Sequence, residues 1–109
     1  MARVRKREAA KRDLIAQWVW YAETADIETA DRFLSAADST ANMLASQPEV
    51  GNRIFMTKPE LQGIRRLPLT DGFEKFLLFY FPLKDGIDLV RVVHGNRDLE
   101  RLLSEGFFG

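Results

Sequence analysis

The sequence predicts an α+β fold: an N-terminal strand, an antiparallel helical hairpin packed on one face of a mainly antiparallel sheet of about three to four strands, and a short C-terminal helix. Three observations carry this. Residues 8–46 keep a helical apolar period with one short break. After residue 60 the period changes to that of strands. Two turn signals, Thr70-Asp71-Gly72 and Lys84-Asp85-Gly86, divide that second half.

Residues 4–6 are the first strand, and their charged neighbours discourage pairing with other chains at an open edge. A helix is expected over 8–23, with Leu14, Ile15, Trp18, Val19, Tyr21 and Ala22 on one arc. Trp20 falls outside that arc, beside Asp13, Gln17 and Glu23. A tryptophan on a polar face points to a contact beyond the helix's own core face, with another segment of the chain or with a partner. Thr24-Ala25-Asp26 breaks the helix, and Asp26 is placed to cap the next one, which runs to Ser46. There Ala30, Phe33, Leu34, Ala37, Ala41 and Leu44 recur at helical spacing, and Gln47-Pro48 stops the run. The small residues suit close approach within the hairpin.

Residues 49–60 have no clean period. A strand is expected over 61–69 and another over 73–81, ended by Pro82. Within the latter, FLLFYF (76–81) is apolar on both parities, as in a strand covered on both faces. Residues 87–93 form the next strand, 96–103 a short helix, and Gly106-Phe107-Phe108-Gly109 a tail. The helical hairpin covers one sheet face. The other is left bare, so a partner protein is the expected cover for FLLFYF.

The length of 109 residues suits a single domain over 1–109. With no cysteine there is neither a disulfide framework nor a thiolate metal site, which fits a reducing cytoplasm. No cofactor and no metal are expected. The basic N-terminus lacks the apolar run of a signal peptide, and no stretch of about 18 apolar residues exists to span a membrane. Sixteen basic and sixteen acidic residues balance to +0. A protein gripping nucleic acid by its backbone usually carries a basic excess, so any basic surface here is local. The segment with Arg3, Arg5, Lys6, Arg7, Lys11 and Arg12 is either such a patch or a solvated strand end.

AAKRDLIAQWVWYAE in the first helix, ADRFLSAADSTANMLASQPEVG through the second, GIRRLPL, FLLFYF and the closing VVHGNRDLERLL recur in this order over nearly the whole chain. In this ordered set the chain resembles the ParE branch of the RelE/ParE toxin superfamily, the toxins of type II toxin–antitoxin (plasmid stabilisation) systems. The resemblance implies a toxin bound by a cognate antitoxin in a hetero-oligomer. The antitoxin would carry a DNA-binding domain and a segment that wraps the toxin and folds on binding. It supplies an identity for the missing cover, with Trp20 and the FLLFYF strand, Phe79 included, as contacts.

The superfamily divides between ParE-like inhibitors of DNA gyrase and RelE-like ribosome-dependent mRNA endonucleases. RNA cleavage needs a base for the 2′-hydroxyl, an acid for the leaving oxygen and cations on the phosphorane. The acid–base inventory is His94, Glu74, Tyr80 and Tyr21, with Arg65, Arg66, Arg91 and Arg97 as cations. Regular alternation over 87–93 sets Ile87, Leu89, Arg91 and Val93 on one face and His94 with Val90 and Val92 on the other, so Arg91 and His94 diverge. The chain ends in FFG, without the terminal tyrosine or histidine of several RelE-type nucleases. Gyrase inhibition is therefore the favoured activity, with the endonuclease as the alternative and His94, Arg65 and Arg91 as its catalytic set. His94 fits better as a strand-to-helix joint with Gly95, Asn96 and Asp98. Arg65, Arg91 and Arg97 are expected either to pair with carboxylates within the fold or to contact antitoxin or target.

Overall fold

A computed structural model describes residues 2–95, 98, 101–102 and 106–107. Its elements are β1 (Arg3–Lys6), α1 (Glu8–Thr24), α2 (Ile27–Ser46), β2 (Asn52–Arg53), a 3-10 turn (Pro59–Leu61), β3 (Arg65–Pro68), β4 (Phe76–Leu83) and β5 (Gly86–His94). The strands form one sheet in the order β1-β5-β4-β3-β2, parallel between β1 and β5 and antiparallel elsewhere. The α+β architecture is as expected. The sheet has five strands rather than three or four, because the unassigned stretch 49–60 contributes β2 at the far edge. The helix expected over 96–103 lies largely outside the described residues. No helix among the described residues is long and apolar enough to cross a membrane.

The hairpin forms where the caps place it. The Asp26 side chain accepts from the Thr29 N–H at 2.6 Å, and these bonds to Thr29 hold its carboxyl below the usual carboxylate range. Ala30, Phe33, Ala36, Ala37, Ala41, Leu44 and Ala45 of α2 are buried against the sheet and α1. α1 buries a narrower stripe than expected. Ala10 and Leu14 are inside, while Ile15 and Val19 are 64% and 42% exposed. The arc drawn from the sequence was wider than the surface that one sheet and one neighbouring helix offer. The Trp18 indole N–H instead donates to Asp31 across the hairpin at 3.0 Å.

The two sheet faces make two cores. Facing the helices are Phe76, Leu78, Tyr80, Ile87, Leu89 and Val92, joined by Phe33, Leu44 and Leu69. On the opposite face lie Leu61, Ile64, Phe79, Val90, Val93, Leu102 and Phe107, with Ile54, Met56, Leu77 and Phe81 at their margin. FLLFYF is thus two-faced as its composition requires. The expectation that a partner must cover the second face is corrected, since residues 54–64 and the C-terminal Leu102 and Phe107 cover it in cis. Loop and tail residues escaped the prediction because only periodic segments signal a covering layer.

Two local departures have backbone causes. Pro82 does not end β4, which runs on to Leu83 opposite Gly86. β3 pairs only as far as Tyr80, so beyond it β4 has an open side where a missing N–H costs no ladder bond. In β5 the register steps between Phe79 and Tyr80, whose partners are Arg91 and Leu89, leaving Val90 as an extra residue. This bulge reverses the parity. Ile87 and Leu89 face the helices, while Arg91 sits opposite Phe79 of the second core.

Tyr80 locks the end of α2 to the sheet. Its hydroxyl donates to the Pro48 carbonyl at 2.7 Å and accepts from the Gly51 N–H at 2.9 Å. Gly51 has to be glycine here, since a Cβ would overlap the Tyr80 hydroxyl. Burial pushes the Tyr80 pKa above its ordinary 10.0. The folded state therefore holds the phenolic proton more tightly than the unfolded chain. Its contribution is complete below the unfolded value and is lost as pH rises through the folded one. We expect Tyr80→Phe to cost about 1–3 kcal/mol at neutral pH by leaving the Gly51 N–H unpaired. Denaturant titrations above pH ~10 should show stability falling more steeply in the wild type than in the variant.

Candidate partner-binding groove

β1 leaves the sheet after pairing Lys6 with Leu89, so β5 has an open edge from Val90 onward. α1 fills it. The Arg7 N–H donates to the Leu89 carbonyl at 3.0 Å, and nearly two turns further the Asp13 carboxylate accepts from the Val92 N–H at 3.0 Å. Asp13 thus stands in for the missing strand. It also takes the Arg91 guanidinium side-on, with Nε at 2.7 Å and Nη2 at 2.9 Å, and both side chains are only 14% exposed. This bidentate bond raises the Arg91 pKa further above its already high value. Arg91 also reaches the Phe107 carbonyl at 3.4 Å.

Arg65 is equally committed. Its guanidinium donates to the Glu49 and Gly51 carbonyls at 3.0 and 2.7 Å and approaches the Glu49 carboxylate at 3.3 Å. It ties the loop after α2 to β3 opposite Tyr80. A further pair was not anticipated: Arg7 clamps Asp88, 7% exposed, with Nη2 at 2.7 Å. An aspartate inside the apolar run GIDLV was its only signal. Much of the basic N-terminus is solvated strand end rather than free patch, since Arg3, Lys6, Arg7 and Lys11 pair with Asp85, Asp38, Asp88 and Glu8.

His94 ends β5 opposite Phe76, and its ring meets Phe76 edge-on at 5.2 Å. Its backbone N–H donates to the Asp98 carboxylate at 3.4 Å, and the Asp98 N–H donates back to the His94 carbonyl at 2.9 Å. The Gly95 N–H donates to the Lys75 carbonyl at 2.8 Å. These are the bonds of a chain-turning joint. Arg97 lies outside the described residues.

The nuclease set is not assembled. On β4, the partner of Arg65 is Tyr80 and the partner of His94 is Phe76. Four residues of strand, about 13 Å, separate those positions. Arg91 diverges from His94, as its pairing with Phe79 of the second core dictates. Phe79, at 1% exposure, offers no surface to a partner.

What the geometry does bring together is Trp20 and His94. Trp20 is 46% exposed and stands edge-on to Tyr21 at 5.2 Å. It forms a wall common to two adjoining clefts of about 370 and 440 Å³, both floored by Phe76 and His94. Asp13, Asp98 and Arg101 rim the first, and Glu74 and Lys75 the second. Aromatic surface ringed by charges of both signs suits a protein segment with apolar anchors and a polar margin.

The fold and groove define a small α+β protein with an open aromatic cleft, in which Arg65 and Arg91 bond to the fold itself. The chain belongs to the ParE toxin family of type II toxin–antitoxin systems: the family model, described as ParE toxin of type II toxin–antitoxin system, parDE, matches residues 4–99. Among solved structures it is similar to a chain of the chromosomal ParDE TA system from P. aeruginosa, at 19% identity and a TM-score of 0.67, covering 86% of this chain and 96% of that one. That likeness shows a common fold. No curated protein matches. Membership implies an antitoxin as partner.

Proposed function

We propose that this toxin is neutralised by its cognate antitoxin and, once freed, acts by inhibiting DNA gyrase. The observation that carries the reading is negative for RNA cleavage and positive for binding. Arg65 and Arg91 are spent on carbonyls and carboxylates of the fold, whereas Trp20 stands half-exposed over an open groove. Trp20, with His94 and Phe76 beneath it, is the antitoxin anchor, and the exposed Ile15 and Val19 extend apolar surface along the same helix. Arg65 secures the loop after α2, and Arg91 acts by holding Asp13 at the rim of this surface. Phe79 supports it from within.

Aromatic anchors of this kind dominate interface energies. Trp20→Ala should weaken antitoxin binding by at least about 30-fold in calorimetric titration, a loss of roughly 2 kcal/mol. Its thermal melting should stay close to that of the wild type. Unchanged affinity would remove Trp20 from the interface. The target half of the proposal is read from plasmid cleaved by gyrase in the presence of the toxin.

A further inference from the structure

The loop between α2 and β3 carries an exposed surface apart from the Trp20 groove. The helical hairpin packs over β1, β5 and β4. β2 and β3 extend beyond it, and Arg53, opposite Arg65 at the outer edge of the sheet, is exposed. Two residues on, past the end of β2, comes Phe55, at 88% exposure the most solvated of the large apolar side chains described. A single exposed phenylalanine is ordinary. This one is held out by its neighbours. Ile54 and Met56 on either side pack into the second core, the Ile54 N–H donates to the Ile64 carbonyl at 3.1 Å, and Gln62 Nε2 donates to the Met56 carbonyl at 2.8 Å. The ring is thus displayed on a pinned backbone and pays little ordering entropy on binding.

Its surroundings are cationic. The Arg53 guanidinium lies 5.6 Å from the ring centroid. Lys58 is exposed on the same loop and Arg66 is the register partner of Asn52; none of these three cations lies within ion-pair distance of a carboxylate among the described residues. Of the two carboxylates nearby in sequence, Glu49 is taken by Arg65, leaving Glu60. A cleft of about 290 Å³ beside the ring is bounded by Met56, Lys58, Leu61 and Phe107.

We propose that Phe55 with Arg53 and Lys58 is a stacking site for an unpaired nucleotide of a DNA or RNA strand. The base lies on the Phe55 ring and the flanking phosphates meet Arg53 and Lys58. A ring face with cations beside it offers contacts to both halves of a nucleotide, whereas an acidic peptide uses only the cations. The site lies at the sheet edge, apart from the Trp20 groove, and does not depend on the target assigned above.

The test is fluorescence anisotropy of purified toxin with a labelled oligothymidine of about a dozen nucleotides at about 50 mM salt. Binding should weaken as salt rises. Phe55→Ala should weaken it about 5- to 150-fold with unchanged thermal melting, because the ring is in water already. Phe55→Trp should retain binding, with its indole emission quenched by the strand. An abasic strand of equal length should bind the wild type no better than the intact strand binds Phe55→Ala. The proposal is overturned if the oligonucleotide does not bind, if Phe55→Ala binds equally well, or if the abasic strand binds like the intact one. Loss of toxicity in Phe55→Ala without oligonucleotide binding also overturns it, since the partner at Phe55 would then be a protein.

Discussion

Arg91→Ala should destabilise the protein by about 3–5 kcal/mol, the usual result of stripping one partner from a desolvated ion pair. At 14% side-chain exposure, water does little to compensate the Asp13 carboxylate that remains. In a domain of this size about 1 kcal/mol moves the midpoint by roughly 4–8 °C, so thermal melting followed by circular dichroism should show a fall on the order of 12–40 °C. Asp13→Ala should be at least as damaging, because it also orphans the Val92 N–H at the open edge of β5. The double replacement Asp13→Leu with Arg91→Met should recover much of the loss, as no buried charge then stands alone. A loss below about 1 kcal/mol for Arg91→Ala would mean that the pair is solvated in practice. Arg91 would then return as a candidate for direct contact with a target.

Phe79→Ala should cost a comparable amount, about 3–5 kcal/mol, for a different reason. The ring is 1% exposed and packs edge-on against Phe107 at 5.1 Å. Removing it opens a cavity between β4 and the C-terminal cover. Phe107→Ala should act on the same contact, so the double mutant cycle should reveal a coupling of about 0.5–1.5 kcal/mol. Antitoxin affinity extrapolated to the folded fraction should be unchanged in Phe79→Ala. If affinity fell while stability held, the second sheet face would belong to the antitoxin rather than to the chain's own loop and tail.

The contrast between Phe79 and Trp20 shows where sequence reasoning reached. Both stood out as partner contacts, Trp20 by helical phase and Phe79 by sitting in a strand apolar on both parities. Helical phase depends only on neighbours within one element, and Trp20 is where it placed it. The cover over Phe79 comes from residues with no periodic signal, Ile54, Met56 and Leu61 from one loop and Leu102 and Phe107 from the chain end. Non-local cover of that kind leaves no trace in a local pattern. The same limit hid β2 and the roles of Asp13 and Asp88, whose partners lie 78 and 81 residues away. The bulge at Val90 was likewise silent, though the divergence of Arg91 and His94 holds in spite of it. Helix bounds, the Asp26 cap, the turn at Lys84-Asp85-Gly86 and the joint at His94 were legible because each is set by a few adjacent residues.

The central claim is that the toxin disables gyrase through binding and leaves mRNA intact. The most direct measurement adds purified toxin to gyrase and supercoiled plasmid, and in parallel to a cell-free translation reaction. The account predicts linear plasmid released by detergent and protease, suppressed by stoichiometric antitoxin, with messenger left whole. Site-specific cuts in ribosome-bound messenger, with gyrase supercoiling at its normal rate, would contradict it.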